Sequence, residues 1–249
     1  PTMKMKTQPP KFVSKKETAI EVGKCSPVHI LALAIETHEK QGFIRSGEGY
    51  TEYGEDHNIK SIHFDNKTMV IQDILDGKKP SAISYDNAQT IIDKFEAKFV
   101  MKKLTTGLNN FEEGVVNSFQ SKNKLSIFNV AVLASIPNMN LIDVKRKNIE
   151  DKLDAVRFTS KHFGVPKERY ELSVLVLDSK YIQKSAVYMI TTLYNGSDII
   201  KFWWRDQPDI SDIINDKTIN IRGTVNKHEV GRFTHAQETF MNRVKIVQD

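Results

Sequence analysis

The sequence predicts an α+β protein, a mixed α/β N-terminal domain followed by a five-stranded antiparallel β-barrel. Three observations predict it. Apolar residues recur at helical spacing through much of the first two thirds of the chain. Five alternating, β-rich runs then crowd into residues 170–246. Asn195-Gly196, the strongest short hairpin signal, joins the second of these runs to the third. With 249 residues there is room for one large domain or two small ones.

Taken in order, residues 1–24 read as a flexible basic arm, with six lysines (4, 6, 11, 15, 16 and 24) against Glu17 and Glu21. The arm lacks the apolar stretch of a secretory leader. Ser26-Pro27 opens a helix, since Ser caps well and Pro suits the first helical position. Ile30, Leu31, Ala34 and Ile35 give its buried face, and Gly42 stops it. A Gly/Tyr/acid loop follows at 47–56. Ile59–Phe64 and Thr68–Ile74 alternate as two strands around a hairpin turn at Asp65-Asn66-Lys67. Asp86 caps a long amphipathic helix over about 87–104, with a stripe of Ile91, Ile92, Phe95, Phe99 and Leu104. A helix covers Asn110–Phe119, a buried strand Leu125–Ile136, and a charged helix about 143–160. These elements form a domain over 25–165.

The second domain, 168–249, holds strands at Tyr170–Leu177, Ser185–Leu193, Asp198–Trp204, Thr218–Val225 and Thr239–Ile246, with a short helical turn at Asp209–Ile214. Five strands and one short helix match the size of an OB-type barrel.

Composition narrows the function. The net charge is +5 and the pI is near 9.1, which permits a polyanionic partner without requiring one. No apolar run reaches the ~18 residues that span a bilayer, so a cytoplasmic protein with no membrane partner is expected. The one cysteine, Cys25, excludes an internal disulfide or a multi-cysteine zinc site and reads as a half-buried thiol. The seven histidines show neither His-x-x-x-His nor His-Glu-x-x-His, and no phosphate-binding glycine loop or nucleophile elbow is present. The acidic loop Glu48–Asp56 lacks EF-hand spacing. A metal-nuclease core would need Asp/Glu-x-Lys after Pro208-Asp209. The triplets Asp65-Asn66-Lys67 and Asp178-Ser179-Lys180 both precede it. No cofactor and no enzymatic activity are expected.

A binding surface is better supported. In the strand Phe202-Trp203-Trp204-Arg205, neighbours face opposite sides, so one Trp faces the core and the other solvent or a ligand, unless the preceding domain covers both. An exposed Trp beside Lys201 and Arg205 can stack on a base. Arg222, Lys227, Arg232, Arg243 and Lys245 on the following hairpin could follow phosphates, or could serve only as charges guarding a strand edge.

The same region carries a resemblance. Ile221, Gly223, Thr224, Val225, Lys227, His228 and Glu229, then Glu238, Thr239, Asn242, Arg243, Val244 and Lys245, resemble the closing segment of tailed-bacteriophage replication proteins. That resemblance covers Phe202–Ile246 and implies an OB-like, single-stranded-DNA-binding-like segment acting in replication or transcription. Single-stranded nucleic acid is then the expected partner, in the cytoplasm of a host cell. Lys201, Arg222, Lys227, Arg243 and Lys245 would touch phosphates, and Trp203 or Trp204 would stack. The alternative is a module docking on a polymerase, a replisome subunit or a host factor.

Overall fold

Six helices precede a closed five-stranded barrel in the computed structural model, which describes residues 13–121, 124–205 and 213–247. The order is α1 (Lys15–Gly23), α2 (Pro27–Gln41), β1 (Tyr50–Tyr53), β2 (Ile59–His63), α3 (Asn66–Leu75), α4 (Ala82–Thr105), α5 (Asn110–Gln120) and α6 (Ile127–Val156). Then come β3 (Arg169–Ile182), β4 (Val187–Tyr194), β5 (Asp198–Trp204), β6 (Thr218–Val230) and β7 (Gln237–Ile246). The chain divides into two compact units, Pro1–Asp143 and Val144–Asp249, so that α6 contributes to both.

In the first unit α2 is central, and α3 and α4 pack against it. Ile30, Leu31, Leu33 and Ala34 are fully buried, joined by Val70, Phe95, Val115 and Leu133. Ser26 caps α2 by accepting from His29 N–H, and Gly42 ends it at φ 73°, a conformation that favours glycine. The β1–β2 pair is a lone two-stranded hairpin.

Several expectations for this unit fail. Ser81, not Asp86, caps α4, which starts at Ala82, and Leu104 is exposed instead of joining its buried face. Residues 15–23 of the supposed arm are helical: Ser14 and Glu17 form a reciprocal capping box, and Thr18 and Val22 are buried. Residues 1–12 lie outside the described part. Thr68–Ile74 belongs to α3, because Asp65 caps that helix instead of turning a hairpin, and Val70 and Ile74 lie four apart on one buried face. Leu125–Ile136 is not a strand but runs into the first part of α6, whose Val130, Leu133 and Ile136 are fully buried. A short apolar run does not distinguish a buried strand from a buried helix. The continuous α6 is also long and apolar enough, by length and composition, to cross a membrane.

In the second unit the strand order is β3-β4-β5-β7-β6, closing between β6 and β3. All pairs are antiparallel except β5–β7, which is parallel. The expected wholly antiparallel barrel is thus a mixed one. A strand order of 1-2-3-5-4 is consistent with an OB fold. Leu172, Val174, Val176, Ile190, Ile200, Phe202, Trp204, Ile221 and Met241 fill the interior. Asn195 and Gly196 both take positive φ, as the β4–β5 hairpin turn requires. The expected turn at Asp209–Ile214 falls largely outside the described residues.

The segment after α6 is pinned to the barrel. Ser160 Oγ donates to the Gln237 carbonyl at 2.6 Å and accepts from Ile199 N–H at 3.0 Å. Phe163 packs edge-on against Tyr170 and Tyr194. Leu153 and Val156 of α6 pack on Leu177, Leu193 and Ile199, outside the barrel interior.

Candidate nucleic-acid interface

β5 alternates strictly: Phe202 and Trp204 point into the barrel, and Lys201 and Trp203 point out. Trp204 is 4% exposed and Trp203 51% exposed. Register extends this outer face across the sheet. Lys180 on β3 opposes Met189 on β4, which opposes Trp203. One step along, Asp178, Thr191, Lys201, Phe240 and Lys227 line up across β3, β4, β5, β7 and β6. The next row, Leu193, Ile199 and Glu238, abuts the part that α6 covers. The accessible outer surface of β4 and β5 therefore centres on Trp203.

Lys201 leans on a buried carboxylate. Its Nζ lies 2.8 Å from both oxygens of Glu238, a residue only 1% exposed. Thr234 Oγ1 donates to the same carboxylate at 2.6 Å. Gly231 makes room for this network, since a Cβ there would fall 2.2 Å from Glu238 Oε1 and from Thr234 Oγ1. Lys227 pairs with Glu229, and its Nζ lies 4.9 Å from the centre of the Phe240 ring. Burial pushes the Asp178 carboxyl above the usual aspartate value, against the Ser179 N–H and Lys180, which pull it down.

The nine residues singled out from the sequence do not form one groove. Lys201 and Trp203 share the β4–β5 outer face, and Lys227 lies on the row through Lys201. Trp204 is in the core. Arg222 sits beside Lys245 on the β6–β7 pair and grips Glu171 of β3 through Nε at 2.9 Å and Nη2 at 2.6 Å. Arg243 lies where the β6–β7 register shifts, at φ 51°. Arg232 belongs to the β6–β7 loop, next to Phe233, which is 89% exposed. Arg205 follows β5 and is exposed. Arg205, Arg232, Arg243 and Lys245 make no ion pair among the described residues.

Lys180 and Met189 were not anticipated. The turn at Asn195-Gly196 carried a signal for Met189, because in an antiparallel pair the Tyr194–Asp198 register fixes Met189 opposite Trp203. Lys180 is placed by a β-bulge between Val176 and Asp178, which no turn residue announces. Comparison with protein-family models, with curated proteins and with solved structures finds no match.

Proposed function

We propose that the chain is a non-enzymatic, phage-type protein acting in replication or transcription, whose barrel binds single-stranded nucleic acid on the outer face of β4 and β5. The observation that carries this reading is the half-exposed Trp203 flanked by Met189, Lys180 and Lys201 on the barrel's second and third strands. In OB folds that pair of strands supplies the oligonucleotide face. A base would stack on the Trp203 ring while Lys180 and Arg205 meet phosphates. Lys201, held by Glu238, would orient the edge of the face more than add charge. The resemblance of Phe202–Ile246 to phage replication proteins supports the same reading.

The test is intrinsic Trp fluorescence titrated with single-stranded DNA at low and high salt. Trp204 is buried, so the response belongs to Trp203. Quenching that salt reverses is expected, because displaced counterions drive phosphate binding. Absence of any binding at low salt, with the barrel folded, would sink the proposal. A protein partner is then the reading left standing. Phe233 and Val230, both strongly exposed beside the β6–β7 loop, favour that second reading and would be the place to test it.

A further inference from the structure

The helical unit holds an open hollow of about 570 Å³ between the first turn of α1, the length of α3, the turn at Ser46, and Ile127 at the start of α6. Its lining mixes apolar and polar groups. Ile71, Leu75 and Ile127 are apolar, the first two following Lys67 along one face of α3. Lys15 and Lys67 supply two ammonium groups, and Thr68 and Ser46 supply hydroxyls. Among the described residues no carboxylate lines it. Neither lysine makes an ion pair among the described residues. Asp65, the nearest carboxylate in sequence to Lys67, is engaged elsewhere: it accepts from Thr68 N–H at 2.9 Å and Gly47 N–H at 3.2 Å. Ser14 caps α1 by accepting from Glu17 N–H at 3.2 Å. The capping groups thus occupy amides at both helix starts, and the positive charge facing the cavity comes from the lysines.

Two lysines without an ion pair among the described residues, in one hollow with Ile71, Leu75 and Ile127, suit a ligand that is itself divided. The volume is in the range of small-molecule sites. We propose that this cavity binds a small anion with an apolar or aromatic body. Its phosphate or carboxylate head sits between Lys15 and Lys67, and its body lies on Ile71, Leu75 and Ile127. The site belongs to the other unit from the Trp203 face and does not depend on the nucleic-acid reading.

Calorimetric titration of the full chain with 1-naphthyl phosphate tests it, beside 1-naphthoate, 1-naphthol and inorganic phosphate. Naphthyl phosphate should bind, and naphthol and inorganic phosphate at least about tenfold more weakly, since each lacks one half of the recognition. Naphthoate matching naphthyl phosphate would assign a single negative charge to the head, and weaker binding would assign a doubly charged one. Lys15→Ala and Lys67→Ala should each weaken naphthyl phosphate about tenfold, with Lys67→Arg retaining most of the affinity. Leu75→Trp should abolish binding by filling the apolar part of the hollow while leaving both charges. Thermal melts of every variant report folding independently. Equal affinity for naphthol, indifference to both lysine substitutions, or no binding at millimolar ligand would overturn the proposal.

Discussion

Trp203 and Trp204 are adjacent in sequence and opposite in role, which lets one residue be altered without the other. Trp203→Ala should leave the melting temperature nearly unchanged and weaken single-stranded DNA binding by about 1–3 kcal/mol, roughly five- to 150-fold. Trp204→Ala opens a cavity beside Phe202 and should cost about 3–5 kcal/mol of stability in denaturant unfolding. The buried Lys201–Glu238 pair is a second residue-scale test. Glu238→Ala strands an ammonium group that is itself mostly buried and should cost about 3 kcal/mol. Gly231→Ala pushes a methyl into the same carboxylate, so its cost should shrink in the Glu238→Ala background. Additive costs would show that Gly231 matters for some other reason.

At the scale of elements, legibility followed the strength of local signals. The Ser26-Pro27 and Gly42 boundaries of α2 were readable because each end is set by its own residues. So was the β4–β5 hairpin, whose Asn195-Gly196 turn demands positive φ. α3 was misread because Asp65-Asn66-Lys67 can start a helix as well as turn a hairpin, and long-range bonds decide between them. Buried Asn66 accepts from Ile44 N–H at 2.9 Å and Gln41 Nε2 at 3.0 Å, and donates to the Gly42 carbonyl at 2.9 Å. These bonds tie the start of α3 to the end of α2, and no local pattern encodes them. Asn66→Ala should therefore cost about 2–3 kcal/mol, measured by thermal unfolding, although a hairpin-turn residue would tolerate it. The candidate interface divided the same way. Trp203 was visible through strand alternation, whereas Lys180 came to its side only through pairing across a bulge.

For the whole molecule, charge is distributed by pairing more than by net sign. Several predicted phosphate ligands are already matched within the fold: Arg222 by Glu171, Lys227 by Glu229 and Lys201 by Glu238. Neutralising Lys180 or Arg205 should therefore flatten the salt dependence of DNA binding more than neutralising Arg222, as read from slopes of affinity against salt. Acid should destabilise the helical unit. Lys102 lowers the Glu112 carboxyl, while Glu36 and Asp143 are lowered in spite of burial, by Ser81, Lys78 and Ser84 in one case and by Lys98 and Lys94 in the other. A depressed carboxylate stabilises the fold above its unfolded value and loses that contribution as pH falls through the folded one. Thermal stability should thus hold at neutral pH and fall progressively below about pH 4, where ordinary carboxylates protonate. Asp143→Asn should shrink that acid sensitivity.

The parallel β5–β7 pair governs how the barrel can assemble. β7 follows β6 in sequence yet lies between β5 and β6 in the sheet. Until it inserts, β3, β4, β5 and β6 can form only an open sheet with two bare edges, and Trp204 and Phe202 lie next to one of them. Closure waits on a contact between distant parts of the chain, which slows folding relative to the hairpins that precede it. A chain emerging from the ribosome would expose that unfinished seam until β7 is free to move, making the barrel's last strand the step at which misassociation competes with folding.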